Sequence, residues 1–295
     1  MAPGAGRFAL SLRDGGVGII GAQGDFNDMK RISGYFAVVL AALSMLSAQA
    51  AAPGHLERVL AAQVLRVCIW PDYYGITYRN LKTQQLSGID IDLAKALAQD
   101  LGPQIKVHFI DSSFSKLVDD LTADRCDIAM FAIGITASRA EKLRFSRPYL
   151  KSDIYAIATK SNRRVKEWRD IDQPGVVVAV HKGTYHEQVM REKLRNATLL
   201  VAETPFAREQ EVESGRADVF MTDFPYSQRM LVNADWARLL VPPTPYHFTS
   251  YAYASAPGDE PWRVRIETFV SDIKRDGRLL AAARRHNLET IVNPD

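Results

Sequence analysis

The chain has 295 residues, with 37 Lys+Arg against 34 Asp+Glu and 47 % hydrophobic residues, the make-up of an ordinary globular protein of one or two domains. A formal net charge of +3 excludes the broad basic field that holds nucleic acid or an anionic membrane, so any charge recognition is local. Two cysteines, Cys68 and Cys126, are too few for a disulfide-built scaffold or a four-thiolate zinc site.

Met29-Lys30-Arg31 supplies a basic start, Ile32 to Leu46 an apolar run, and Ala48-Gln49-Ala50 a small-x-small cleavage pattern. Together these predict a signal peptide over residues 29–50 and a secreted, periplasmic product starting near Ala51. The apolar run is shorter than a bilayer-spanning helix needs. Residues 1–28 read as an extension upstream of the true start at Met29. Gly16 to Gly21 fits G-x-G-x-x-G, but no strand precedes it and no βαβ unit surrounds it, so it is taken as chance.

From Val64 onward short β-branched runs alternate with helical patterns, which predicts parallel sheets covered by helices. Leu65 to Ile69 is the first strand. Asp92 to Leu101 sets Leu93, Ala96, Leu97 and Leu101 on one face, with Asp90 and Asp92 read as N-caps and Gly102-Pro103 as the stop. Ile105 to Ile110 is a strand, Ser115 to Thr122 a short helix, and Cys126 to Ala132 a buried strand. The pattern restarts with a strand at Val176 to Val180, a helix from Tyr185 to Leu194, a strand at Leu199 to Ala202, a helix around Ala207 to Ser214 and a strand at Asp218 to Met221. After Pro243-Thr244-Pro245 come a strand at Ser250 to Ser255 and a helical segment from Trp262 to His286, broken at Gly277. The series predicts two lobes: residues 51–152 and 247–295 in one, 153–246 in the other, with crossings near Lys151–Tyr155 and Tyr246–Tyr251.

Several motifs fall at the carboxyl ends of predicted strands, where open α/β sheets bind ligands. Thr136 is placed to cap the helix that carries Arg139. An arginine there opposes the helix dipole, which an adjacent anion would relieve; a carboxylate contact and a solvent-exposed Arg both remain open. His181-Lys182-Gly183-Thr184-Tyr185 opens another helix as an anion-receptive terminus, with Glu187 either complementing the dipole or serving as a catalytic acid. Asp223 stands at a strand tip, able to receive an ammonium or to cap the Pro225 helix. No Walker loop, G-x-S-x-G elbow or H-E-x-x-H occurs, and the six histidines show no metal-ligand spacing. Cys68 sits late in its strand and Cys126 early in its own, so parallel pairing holds them too far apart for a disulfide unless the register shifts.

The segments LRVCIWPDYYGITYRN, GIDIDLAKAL, DRCDIAM, GITASRAEKLRFSRPYL, VHKGTYHE and SGRADVFMTD, in this order and spacing, resemble the periplasmic solute-binding proteins of polar amino acid ABC importers, the family 3 extracellular solute-binding proteins, from Leu56 to Ile291. The resemblance implies a type II periplasmic-binding-protein fold, α/β, with two parallel-sheet lobes joined by two crossing strands that close on one ligand. It implies no cofactor and no metal, a monomer, and two partners: a small amino acid or organic acid, and an inner-membrane ABC permease. By the same resemblance Arg139 clamps the ligand carboxylate with backbone N–H groups at Gly134 or Thr136 and at Tyr185. Asp223 holds the ammonium, Tyr73 and Phe114 stack on the side chain, and Ala132 and Thr184 complete the pocket. Many relatives carry serines where this chain has Phe131, Ala132 and Gly134, and an Asp at Trp70, so the pocket is expected to be less polar and more aromatic.

The alternative is a branch of the same fold that is enzymatic. DIDQPGV, Glu187 and RADVFMTD also resemble cyclohexadienyl dehydratase, which removes water and carbon dioxide from prephenate or arogenate; Glu187 would then be the general acid. A third use of the fold, as a soluble sensor module, lacks any second membrane segment or signalling domain in this sequence.

Overall fold

The computed structural model describes residues 53–294. The signal peptide read at 29–50 and the extension at 1–28 lie outside the described residues. Among the described residues no helix is long and apolar enough to cross a membrane.

The first sheet grows from β1 (Val64–Ile69), which pairs in parallel with β5 (Lys106–Asp111) on one side and β6 (Ile128–Gly134) on the other. All seven residues of β6 are buried, as expected for a strand covered on both faces. The late strand β14 (Thr249–Ser255) runs antiparallel beside β6 and in turn carries β7 (Arg144–Phe145) and β8 (Leu150–Ser152). Helices α1 (His55–Ala62), α2 (Ile89–Leu101) and the short α3 (Leu117–Thr122) belong to this lobe. A small ribbon of β2 (Asp72–Tyr73), β3 (Thr77–Arg79) and β4 (Leu86–Ser87) leads into α2.

The second sheet has the order β11-β10-β12-β9-β13. Its strands are β9 (Tyr155–Thr159), β10 (Val177–His181), β11 (Thr198–Ala202), β12 (Val219–Thr222) and β13 (Ala237–Leu240). The chain passes between the sheets twice, from β8 to β9 and from β13 to β14. The C-terminal helices, α8 (Glu260–Arg275) and α9 (Arg278–Arg285), return to the first lobe. Gly277, at φ +84, makes the break between them, a left-handed turn that glycine adopts at no steric cost. Trp262 of α8 is fully buried and donates its indole N–H to the Asp127 carbonyl at 2.7 Å.

Two expectations are corrected. First, α2 starts earlier than predicted, and its N-cap is Gly88, which has no side-chain cap. Asp90 turns inward and is fully buried, accepting bonds from Tyr149 Oη (2.6 Å), Tyr253 Oη (3.1 Å) and the Ala132 N–H (2.9 Å). Burial raises its carboxyl to about 7. Asp92 instead pairs with Arg285, the last residue of α9, and with His286 just after it. The carboxylates thus tie elements together and cap nothing.

Second, Cys68 and Cys126 form a disulfide, with Cα atoms 5.7 Å apart. Cys68 lies opposite Ala129 in the β1–β6 register, so a straight strand would carry Cys126 away from it. The strand begins only at Ile128, and the chain bends at Asp127, folding Cys126 back over β1.

Candidate functional site

Three strands end at the cleft, and each hands the chain to a helix capped by a side chain. β6 leads to Thr136, whose hydroxyl accepts from the Arg139 N–H at the head of α4 (Ala137–Ala140). β10 leads to Thr184, whose hydroxyl accepts from the Glu187 N–H as α5 (Tyr185–Lys193) begins. β12 leads to Asp223, whose Oδ1 accepts from the Tyr226 N–H of α7 (Phe224–Asn233). The cap terminates each strand's approach to the cleft and aims the first helical turn into it.

Arg139 lies across the junction. Its Nη1 donates to the Gly134 carbonyl of its own lobe (2.8 Å) and its Nη2 to the Gly183 carbonyl of the other (2.9 Å). It is 7 % exposed, lies against the Phe114 ring at 5.6 Å, and burial lowers its guanidinium to about 10. The solvated alternative for Arg139 is therefore excluded. Thr136, Arg139, Thr184, Tyr185 and Glu187 line a cavity of about 350 Å³ together with Gly183 and Arg191.

A second, deeper cavity of about 20 Å³ brings together Tyr73, Phe114, Thr184, Tyr185 and Asp223 with Trp70, His181, His186, Arg208 and Tyr226. Its walls are aromatic: Trp70 stands 5.1 Å from both Tyr73 and Phe114, and 5.4 Å from His181 across the cleft. Asp223 takes the capping part and engages its second oxygen as well. While Oδ1 caps α7, Oδ2 accepts from the Tyr73 and Tyr251 hydroxyls. Burial raises its carboxyl against these bonds, and an ammonium would have to share Oδ2 with the phenols or displace them.

Ala132 and Gly134 do not line either cavity. Ala132 occupies the left-handed region at φ +48, and its N–H is held by Asp90. Gly134 allows the lobes to meet: a Cβ there would stand 3.0 Å from Thr249 Cγ2 and 3.1 Å from Tyr185 Cδ1. Glu187 accepts from the Gly183 N–H at 2.8 Å and pairs with Arg191 at 2.8 Å, so both of its oxygens are engaged.

Sequence reasoning missed Arg208 and His186 as members of the site. Arg208 lies on α6 (Pro205–Glu213), whose buried residues are Pro205, Arg208 and Val212; an arginine in step with an apolar helical stripe was the available signal. His55, Asp124 and Asp127 also cluster, but Arg66 pairs with both aspartates and Arg58 with Asp124, so the local charge is balanced by guanidinium groups.

Two sheet-and-helix lobes joined by two crossings, with capped helix ends converging on one cleft, define a two-lobed solute-binding protein. The match to the family model for bacterial extracellular solute-binding proteins, family 3, extends over residues 65–289, and the chain belongs to that family. It is 32 % identical over 253 residues to the cyclohexadienyl dehydratase of Pseudomonas aeruginosa, covering 85 % of this chain and 92 % of the enzyme. It is 27 % identical over 232 residues to an amino-acid-binding protein of Dichelobacter nodosus, covering 76 % and 88 %. Among solved structures it is similar to an ancestral amino acid-binding protein, a precursor of cyclohexadienyl dehydratase, with a TM-score of 0.71 and 30 % identity over 78 % of this chain and 98 % of that one.

Proposed function

We propose that this protein captures an amino acid or related small carboxylate in the periplasm and delivers it to an inner-membrane ABC permease, without catalysing a reaction. The observation that carries this is Arg139. A guanidinium stripped of water, bonded only to two neutral carbonyls from opposite lobes, gains most from a carboxylate placed beside it. A ligand anion there, with the α5 amino terminus opposite, binds the closed form better than the open one, and that difference is what shuts the lobes. The family and the amino-acid-binding relative support the same reading.

The experiment is calorimetric titration of the protein and of Arg139→Ala with amino acids and small organic acids. The reading requires that at least one carboxylate bind and that the variant, still folded, lose it. Unchanged affinity refutes the clamp.

A second reading, a cyclohexadienyl dehydratase, is favoured by the enzyme relative and by Glu187 sharing the Arg139 cavity. As a general acid Glu187 would first have to exchange its Arg191 pairing for a substrate contact. Incubation with prephenate or arogenate decides: sustained formation of phenylpyruvate or phenylalanine replaces the transport reading with this one.

A further inference from the structure

We infer that the deep end of the cleft holds a second anion subsite, built on Arg208, and that the preferred ligand is therefore a dicarboxylate. This rests on the reading of Arg139 as the first carboxylate clamp.

Arg208 is 3 % exposed. Its Nη1 donates to the Met221 carbonyl at 3.0 Å, while its Nε–H is buried and has no partner. Its guanidinium lies 4.3 Å from the Phe220 ring centroid and 4.6 Å from that of Tyr226. The rings hold it in place and shield it, but they do not replace the hydration it has lost. No carboxylate among the described residues forms an ion pair with it: Glu209, next in sequence, is taken by Arg229 and Tyr226. Asp223 influences Arg208 only through space, with its oxygens engaged by Tyr73, Tyr251 and Tyr226. A buried guanidinium with an orphaned N–H is costly unless something completes it.

Three further orphaned ring nitrogens lie around it. His181 Nδ1 and both ring nitrogens of His186 are buried without a hydrogen-bond partner of good geometry, and both histidines line the same cavity as Arg208. A neutral imidazole donates one N–H and accepts at its other nitrogen, so Arg208 Nε and one N–H from each histidine give this end of the cleft up to three donors. A ligand carboxylate supplies acceptors to these donors. A distal ammonium or guanidinium would meet the Arg208 guanidinium, while the Asp223 carboxylate in the same cavity already has both oxygens engaged. The walls of Trp70, Phe114 and Tyr226 offer apolar contact to the skeleton between the two carboxylates, and at about 20 Å³ the cavity has to widen by moving these rings apart to admit it.

The test is a calorimetric comparison, on the wild-type protein, of dicarboxylates (prephenate, glutarate, L-glutamate), single carboxylates with a neutral distal end (L-phenylalanine, L-glutamine) and ligands with a distal cation (L-arginine, L-lysine). We expect at least one dicarboxylate to bind roughly ten- to a hundredfold more tightly than the neutral-ended compounds, the range of one charge-assisted bond, and the distal cations to bind least. In Arg208→Gln that preference falls to about nothing. Tightest binding of arginine or lysine overturns the second subsite, as does a dicarboxylate preference that survives in Arg208→Gln. Binding of single carboxylates without preference removes the Arg208 subsite and leaves the Arg139 reading standing; binding of none of these compounds removes both. The wild-type comparison decides even if the variant fails to fold.

Discussion

The Arg139 guanidinium reaches across the cleft and donates to the carbonyl of Gly183 at 2.9 Å, so the residue proposed to clamp a ligand also latches the two lobes. The latch uses one donor of five. Replacing Arg139 with Ala removes both functions. We expect ligand binding to be lost, with stability changed by about 1 kcal/mol or less, because the two hydrogen bonds given up are offset by the removal of a buried guanidinium. Thermal unfolding with and without ligand separates the effects: the ligand-induced rise in Tm should vanish while the ligand-free Tm moves little.

Gly183 tests closure itself. It sits at φ +76, and a Cβ there would come within 2.8 Å of Ser115 Cα and N on the opposing lobe. Gly183→Ala costs roughly 1 kcal/mol in either state for its left-handed backbone, but the clash with Ser115 exists only when the lobes are shut. The expected result is at least about a tenfold loss of affinity, a conformational penalty added to binding, alongside a small loss of ligand-free stability. Equal affinity in the variant would mean that the ligand is bound without this contact forming.

The buried histidines predict a pH dependence. Burial lowers His181 to about 3 and His186 well below its ordinary value, while the unfolded imidazoles titrate near 6.5. Between those values the unfolded chain holds the extra protons, so stability present above pH ~6.5 is lost as pH falls. Asp90, raised to about 7, acts in the opposite direction between roughly pH 4 and 7, because there the folded state holds the proton. His186→Phe removes one of the acid-sensitive groups. Urea unfolding at several pH values between 4.5 and 6.5 should show a slope shallower than that of the wild type, by a difference that grows from about 0.7 kcal/mol per pH unit near pH 6.5 to about 1.4 near pH 4.5. An unchanged slope would show that His186 is charged in the folded protein.

The Cys68–Cys126 bond closes a loop of sequence separation 58. By the loop-entropy relation its removal in the double Ser variant costs about 4 kcal/mol. The denaturant midpoint of the wild type should fall toward that of the variant when reductant is added, and the variant itself should not respond.

The cap at Thr136, the helix start at Tyr185 and the capping option for Asp223 were legible because an N-cap is a local event, decided within four residues. Arg139 was visible for the same reason, since its place on the first turn follows from Thr136. What escaped was decided at a distance. Asp90 looked like a cap until Tyr149 and Tyr253, 59 and 163 residues away, turned it inward. The disulfide escaped because strand register assumes a straight chain, and the bend at Asp127 breaks that assumption. Arg208 escaped because it lies within a helix, on the buried stripe of Pro205 and Val212, away from any strand tip.

The position of β14 has a consequence for how the molecule is made. It lies between β6 and β7 in the first sheet, yet it is the last strand in the chain. A ribosome finishes β9 to β13, and with them the whole second sheet, before it reaches Thr249. The first lobe, begun earliest, stays an incomplete sheet with its inner edge open until nearly the end of synthesis. Such non-local pairing is slow. Truncation before residue 249 should therefore leave the second lobe's strands complete and the first lobe unable to close its core.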